Sequence, residues 1–200
     1  LVVFKPAAPV EYEISPLTFD PGLTAFPTLP ADGSLLAYAS DRGGANMDIW
    51  VQKPSGGKPL RLTDHPAMDS FPSFSPDGSR VVFMSGRDGG GIYVVDALGG
   101  EARRIAGRGY MPRFSPDGGR IAYVVLPASL EERLVGIRVV PAEGGEPRPV
   151  HPELNPLQIN QSAPVVWSPD GTRLLFRARR VDDPAASDFW AVPVDGGEAV

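Results

Sequence analysis

The chain has 200 residues, of which 23 are glycine, 23 are proline and 42% are apolar. Proline spread along the whole length excludes long helices, and the apolar share supplies a core that argues against wholesale disorder. Nineteen Lys and Arg against 24 Asp and Glu give a net charge of −5 with no basic block, and there is no cysteine, which argues against a nucleic-acid partner and excludes a disulfide framework, a thiolate metal site and a cysteine nucleophile.

Residues 1–10 (LVVFKPAAPV) join a short apolar stub to a Pro/Ala-rich stretch and read as a linker. No segment approaches the roughly 20 apolar residues of a membrane span. Residues 11–18 read as a strand with no sheet of its own: Leu17 and Phe26 repeat at Leu62 and Phe71. From Phe26 onward one unit recurs four times. FPTLPADGSLLAYAS begins at Phe26, FPSFSPDGSRVVFMS at Phe71, MPRFSPDGGRIAYVV at Met111 and PVVWSPDGTRLLFRA at Pro164. Asp32, Asp77, Asp117 and Asp170 mark the copies, at spacings of 45, 40 and 53.

Each copy has the same order of parts. In the first, about 24–63, an apolar segment ends at Leu29, a turn follows at Asp32-Gly33, strands are expected over 35–40 and 48–52, a second turn lies at Gly56-Gly57, and a last strand covers 60–63. The second copy, about 68–106, repeats this with Phe74, the Ser75-Pro76-Asp77-Gly78 turn, strands 81–85 and 91–95, Gly99-Gly100 and strand 103–106. The third, about 109–150, has Phe114, Asp117-Gly118, strands 121–125 and 136–140, Gly144-Gly145 and strand 148–150, with an insertion over 127–135. The fourth, about 161–200, has Trp167, Asp170-Gly171, strands 174–178 and 188–192 with an insertion over 181–187, then Gly196-Gly197. Proline suits the early turn position and glycine the positive φ that closes a tight hairpin, so both turns have a mechanism.

Four-stranded antiparallel units that cannot bury both faces alone predict an all-β fold, a β-propeller of four-stranded blades filling 11–200. Residues 11–18 are expected to close the last blade from outside, which makes a four-bladed ring one arrangement. The Gly196-Gly197 turn instead points the chain into an outer strand of its own. That favours four blades of a larger propeller.

The FSPDG, SDRGGANMDIW, LGGEARRIA and RLT elements resemble the repeat of TolB-like propellers, the WD-repeat-like bacterial periplasmic group, over residues 12–200. The stretch DGGGIYVVDALGGEARRIAGRG over 88–109 is similar to the sensor regions of membrane-anchored bacterial serine/threonine kinases and winged-helix transcriptional regulators. The resemblance implies an extracytoplasmic, non-catalytic sensor or scaffold, tethered through an upstream transmembrane helix. The first copy departs from it, with Pro30-Ala31 where Ser-Pro stands elsewhere.

No G-x-S-x-G elbow, Walker A loop or kinase catalytic-loop signature occurs. The chain is therefore expected to be no enzyme and to carry no cofactor or metal. The alternative is the accessory propeller of a prolyl-oligopeptidase-type peptidase or a receptor kinase whose catalytic domain lies elsewhere. The two histidines, His65 and His151, stand beside proline in loops, where a turn role outweighs a ligand role. Asp41, Asn46 and Asp48 lack the spacing of a calcium loop and read as turn caps. Trp50, Tyr93 and Trp190 read as core between blades; Arg138 breaks their series. A protein, peptide or small ligand is expected at the channel mouth, on loops 19–25, 64–70, 107–110 and 151–162, with His65, Asp69, Tyr110, Arg113 and Gln161 as candidate contacts. The insertions are expected on the opposite connection. Self-association is a further expectation if the ring is incomplete.

Overall fold

A computed structural model describes residues 14–19, 22–125, 136–150, 157–159, 164–180 and 187–196. They form four antiparallel sheets in chain order. Blade 1 holds β1 (Thr24–Thr28), β2 (Leu36–Ser40), β3 (Asp48–Gln52) and β4 (Leu60–Arg61), and blade 2 holds β5 (Asp69–Phe74), β6 (Arg80–Ser85), β7 (Gly91–Asp96) and β8 (Arg103–Ala106). Blade 3 holds β9 (Gly109–Phe114), β10 (Arg120–Val125), β11 (Ile137–Pro141) and β12 (Arg148–Val150). Blade 4 holds β13 (Leu157–Ile159), β14 (Val166–Trp167), β15 (Arg173–Arg180) and β16 (Ser187–Pro193).

Blades 1 to 3 are simple meanders, as the repeat predicts. Blade 4 differs. β16 pairs with β15 along most of its length, and β13 and β14 both pair with β15 as well. They therefore share its other edge as two pieces of one innermost strand. The long loop expected over 151–162 thus contains a strand, and blade 4 starts before residue 161. Residues 14–18 form no strand; the Leu17 carbonyl instead accepts a hydrogen bond from Gln52 Nε2 of blade 1 at 2.6 Å. The expected outer strand for blade 4 is not found there, and residues 11–13 lie outside the described residues.

The Asp-Gly turns close as their residue types require. Gly78 N donates to Ser75 O at 2.9 Å, and the same bond recurs at Gly33, Gly118 and Gly171, all with φ between 64° and 72°. The aspartate works inside its own turn: Asp77 Oδ1 accepts from Ser79 N at 3.1 Å and from the Ser75 hydroxyl. Asp117 and Asp170 repeat this with Gly119 and Thr172. The periodic aspartates are turn residues.

Each innermost strand of the first three blades carries a bulge where its register with the next strand shifts. The bulged residues are Phe26, Phe71 and Met111, with φ of 56°, 54° and 52°. Left-handed backbone is costly for a bulky side chain. The residue that follows is Pro27, Pro72 or Pro112, which has no N–H to leave unpaired where the ladder breaks.

Three apolar clusters hold the blades together, one at each interface along the chain. Ala37, Ile49 and Val51 meet Val81, Phe83 and Tyr93; Val82, Ile92 and Ile105 meet Ile121, Tyr123 and Val140; Val124, Ile137 and Val139 meet Leu174, Phe176 and Val192. No cluster among the described residues joins blade 4 to blade 1. Tyr93 and Trp190 lie between blades as expected. Trp50 instead lies under Arg42 and Arg61, whose guanidinium carbons are 4.9 and 5.9 Å from its ring centre. Arg138 exits to solvent past the Tyr123 hydroxyl.

The turn hydroxyls and backbone N–H groups hold the Asp77 and Asp170 carboxyls down to about 2. An unfolded aspartate titrates near 3.9, so both groups favour the fold above about pH 4, and that contribution is lost as pH falls toward about 2. The double variant Asp77→Asn, Asp170→Asn should show a shallower loss of urea stability than the parent across that window. Identical slopes would contradict the turn role.

Candidate functional site

In a meander the first and third strands run the same way. The connection between strands two and three and the connection into the next blade therefore emerge at one end. The structure brings them together: Asn46 Nδ2, in the β2–β3 hairpin, donates to His65 O at 2.9 Å and Ala67 O at 3.0 Å. Gly86 N, in the β6–β7 hairpin, donates to Met68 O at 2.9 Å, and Asp69 N to Met47 O at 2.8 Å. Placing the insertions on the opposite connection is thus a misassignment of end. Residues 127–135 and 181–186 themselves lie outside the described residues.

His65 sits exposed on this face, its Nδ1 accepting from Ala67 N at 3.0 Å within its own turn. Asp69 opens β5 with a fully buried side chain, 2.6 Å from Arg87 Nη2. Arg87 also donates from Nε to Ser85 Oγ at 2.7 Å and lies 5.0 Å from the Tyr93 ring centre. Tyr110, one residue into β9, is buried in the cluster between blades 3 and 4, with its ring edge to Phe71 at 6.4 Å. Its hydroxyl has no protein partner among the described residues, and burial pushes its pKa up to about 12. Arg113 stands three residues further along β9, about 10 Å toward the opposite end at the usual strand rise. It is half-buried, donates from Nη1 to Pro112 O at 3.0 Å, and burial lowers its pKa. Gln161 and His151 lie outside the described residues.

His65 and Asp69 therefore share the mouth, Tyr110 lies beneath it, and Arg113 belongs to the far end. Groups that the sequence reading took for turn caps or strand residues complete the face, and neither Asp48 nor Asp41 uses its carboxylate to cap its own turn. Asp48, also with a buried side chain, is 2.6 Å from Arg61 Nη2; burial raises its pKa and Arg61 partly opposes that. Asp41 Oδ1 accepts from Leu23 N at 2.8 Å, a cap across to the entry of β1 rather than within its own turn. Phe26 and Phe71, freed from the sheet faces by their bulges, bring their ring centres to 4.0 Å across neighbouring innermost strands. Phe26 remains 42% exposed. A cavity of about 270 Å³ lies between the β6–β7 hairpin and β9, lined by Ser85, Gly86, Gly89, Gly90, Gly91 and Arg108 among others.

The buried acids are thus occupied by arginines. Among the described residues no group of three or more His, Asp or Glu could hold a metal. The face offers an apolar aromatic pair on the innermost strands of blades 1 and 2 and, at the β6–β7 hairpin, the Arg108 side chain over glycine backbone.

The family profile described as the TolB beta propeller domain matches residues 13–139. No curated protein matches the chain by sequence. Among solved structures, TolB from Acinetobacter baumannii is similar with a TM-score of 0.69 at 21% identity, over 90% of this chain and 43% of that one. The protein designated TolB in Agrobacterium tumefaciens gives 0.65 at 22% identity, over 86% of this chain and 62% of its own. The acylaminoacyl peptidase of Pyrococcus horikoshii gives 0.61 at 16% identity, over 90% of this chain and 32% of its own. At these identities the likeness is one of fold, and the chain spans less than two thirds of each protein.

Removing the partner of a buried carboxylate leaves an uncompensated charge, so Arg87→Ala should cost about 3–5 kcal/mol of unfolding free energy. Adding Asp69→Asn should return part of that loss in urea titrations. A loss below about 1 kcal/mol for Arg87→Ala would place the pair among weak surface ion pairs.

Proposed function

The chain belongs to the TolB beta propeller domain family, and from that premise we propose that it is a non-catalytic binding propeller, a sensor or scaffold module of a larger bacterial protein. It holds a protein, peptide or small ligand at the mouth formed by the β2–β3 and β6–β7 hairpins and the loops that enter β5 and β9. The observation that carries this is the Phe26–Phe71 pair: two aromatic rings held on the inner wall by costly backbone, with Phe26 still 42% exposed. Strain at equivalent positions persists where the surrounding structure imposes it, and it concentrates at ligand-contacting sites. An apolar side chain of the partner packs against these rings. His65 on the loop that enters β5 and Arg108 by its glycine-lined cavity supply the polar contacts, with Gln161 as a further one, and Asp69 and Tyr110 shape the floor. Arg113 serves a ligand long enough to thread the channel.

The resemblance to periplasmic propellers supports an extracytoplasmic location. A second reading, the accessory propeller of a peptidase, is favoured by the likeness to the acylaminoacyl peptidase, which covers nearly all of this chain and a third of that one. In that reading the same mouth gates substrate for a catalytic domain on another segment.

Photo-crosslinking separates the mouth from the rest of the surface. A benzoylphenylalanine at Phe26 or Met68 should give discrete adducts in a periplasmic extract, and one at Leu98, exposed on the opposite face, should give none of them. Equal adducts from Leu98, or none from the mouth, would contradict the assignment. Peptide hydrolysis by the purified chain would contradict its non-catalytic character.

A further inference from the structure

The Met111 bulge brings Tyr110 and Arg113 onto one face of blade 3. Their cross-strand partners are Val124 and Ala122, two positions apart on β10, and both partners belong to the apolar cluster that faces blade 4. Residues two apart on a strand share a face, and so do residues directly opposite across a ladder. An unbulged β9 would send the two side chains to opposite faces; the extra residue aligns them at the inner edge between blades 3 and 4. Trp167 Nε1, on the innermost strand of blade 4, donates to Arg113 O at 3.1 Å and fixes the backbone there.

Both side chains are donors without a matching acceptor. Arg61, Arg80, Arg87 and Arg120 each meet a carboxylate. Arg113 reaches only Pro112 O, at 3.0 Å, and pairs with no carboxylate among the described residues, although it is half-buried. At the same register position β1 and β5 carry the small neutral Thr28 and Ser73. The Tyr110 hydroxyl is buried and unpartnered among the described residues. Desolvation works against the Arg113 charge and keeps the Tyr110 phenol protonated as a donor. A guanidinium drawn out of water without a counter-ion is costly, and an incoming anion relieves that cost.

A row of rings leads to this pair. Phe26 lies 4.0 Å from Phe71 and Phe71 lies 6.4 Å from Tyr110, so an apolar surface crosses the innermost strands of blades 1 to 3. Arg113 stands deeper by about 10 Å, the length of roughly three extended residues. Its planar fork matches a carboxylate with two hydrogen bonds. One guanidinium balances one negative charge, whereas a phosphate dianion would stay half-neutralised on a chain of net charge −5.

We propose that Arg113, with Tyr110 as second donor, is the anion-receiving end of the mouth and binds a peptide carboxylate that enters ahead of an apolar side chain seated on Phe26 and Phe71. This rests on the binding role given to the mouth above and names its ligand class.

Acetyl-Phe-Ala-Ala as the free acid should bind the chain at least about tenfold more tightly than its C-terminal amide, as charged hydrogen bonds require. Isothermal titration reads both. Arg113→Met, which keeps the stem and drops the charge, should abolish that preference, and Arg113→Lys should return part of it. Unchanged amide affinity in each variant shows that the fold is intact. Tyr110→Phe should weaken the acid alone; equal affinity there strikes the phenol from the site. Acetyl-Phe-Ala-Glu amide separates the two carboxylate sources: weaker binding than the free acid assigns the site to a chain end, equal or tighter binding to an acidic side chain, and both uphold a carboxylate. No binding of either carboxylate peptide, equal affinity of acid and amide, or a preference that survives Arg113→Met overturns the proposal. Phe26→Ala tells this failure from that of the mouth. If it weakens acid and amide alike while Arg113→Met changes nothing, the mouth stands and the anion site falls. If the acid preference holds and Phe26→Ala changes nothing, the anion site stands and the aromatic mouth falls.

Discussion

A four-stranded sheet with apolar side chains on both faces has to be covered twice, and every other feature of this molecule depends on how that requirement is met. Val81 and Val82, neighbours on β6, point to opposite faces and are both fully buried, one against blade 1 and the other against blade 3. Strands such as RVVFMS and RIAYVV consequently read as continuous apolar runs rather than alternating ones. Burying one such side chain is worth about 1.5–3 kcal/mol, so a blade with two neighbours is anchored far more firmly than one with a single neighbour.

Stacking sheets face to face puts every first strand along a common inner wall and every even connection at one end. The turns keep that arrangement in register. Ser-Pro-Asp-Gly closes the hairpin on itself, and a serine or threonine hydroxyl and a backbone N–H draw the aspartate into the turn. At the other end, Asn46 and the Asp69–Arg87 pair tie hairpin to loop. The mouth is thus a set of short segments held by buried charge and hydrogen bonds.

Much of this was readable in the residues, and the division has physical causes. Asp-Gly and Gly-Gly turns announce themselves because few residues tolerate positive φ, so strand after strand falls where the repeat predicts, as Asp48–Gln52 and Arg103–Ala106 do. Phe26, Phe71 and Met111 adopt the same left-handed backbone with side chains that ordinarily avoid it, and only the recurring X-Pro pairs in register hinted at a break. β13 was hidden for a different reason: its partner positions on β15 lie beyond the apolar core of that strand, among Arg179 and Arg180. Among the site residues, the sequence placed His65 and Asp69 on mouth segments, but it had no means to show that Asp69 is spoken for by Arg87, or that Arg113 lies a strand's length away. Those depend on which side chains meet across hairpins distant in the chain.

If two-sided burial governs the fold, stability must be graded along the chain. Native-state hydrogen exchange measures that grading directly, because amides in well-anchored elements open only with global unfolding and others open locally. Amides of β6, β7 and β10, each sandwiched between blades, should exchange slowest and share one free energy of opening, while β15 and β16, covered on one face alone, should open at clearly lower cost. Uniform protection across blades 2, 3 and 4, or slowest exchange in blade 4, would contradict two-sided burial as the governing constraint.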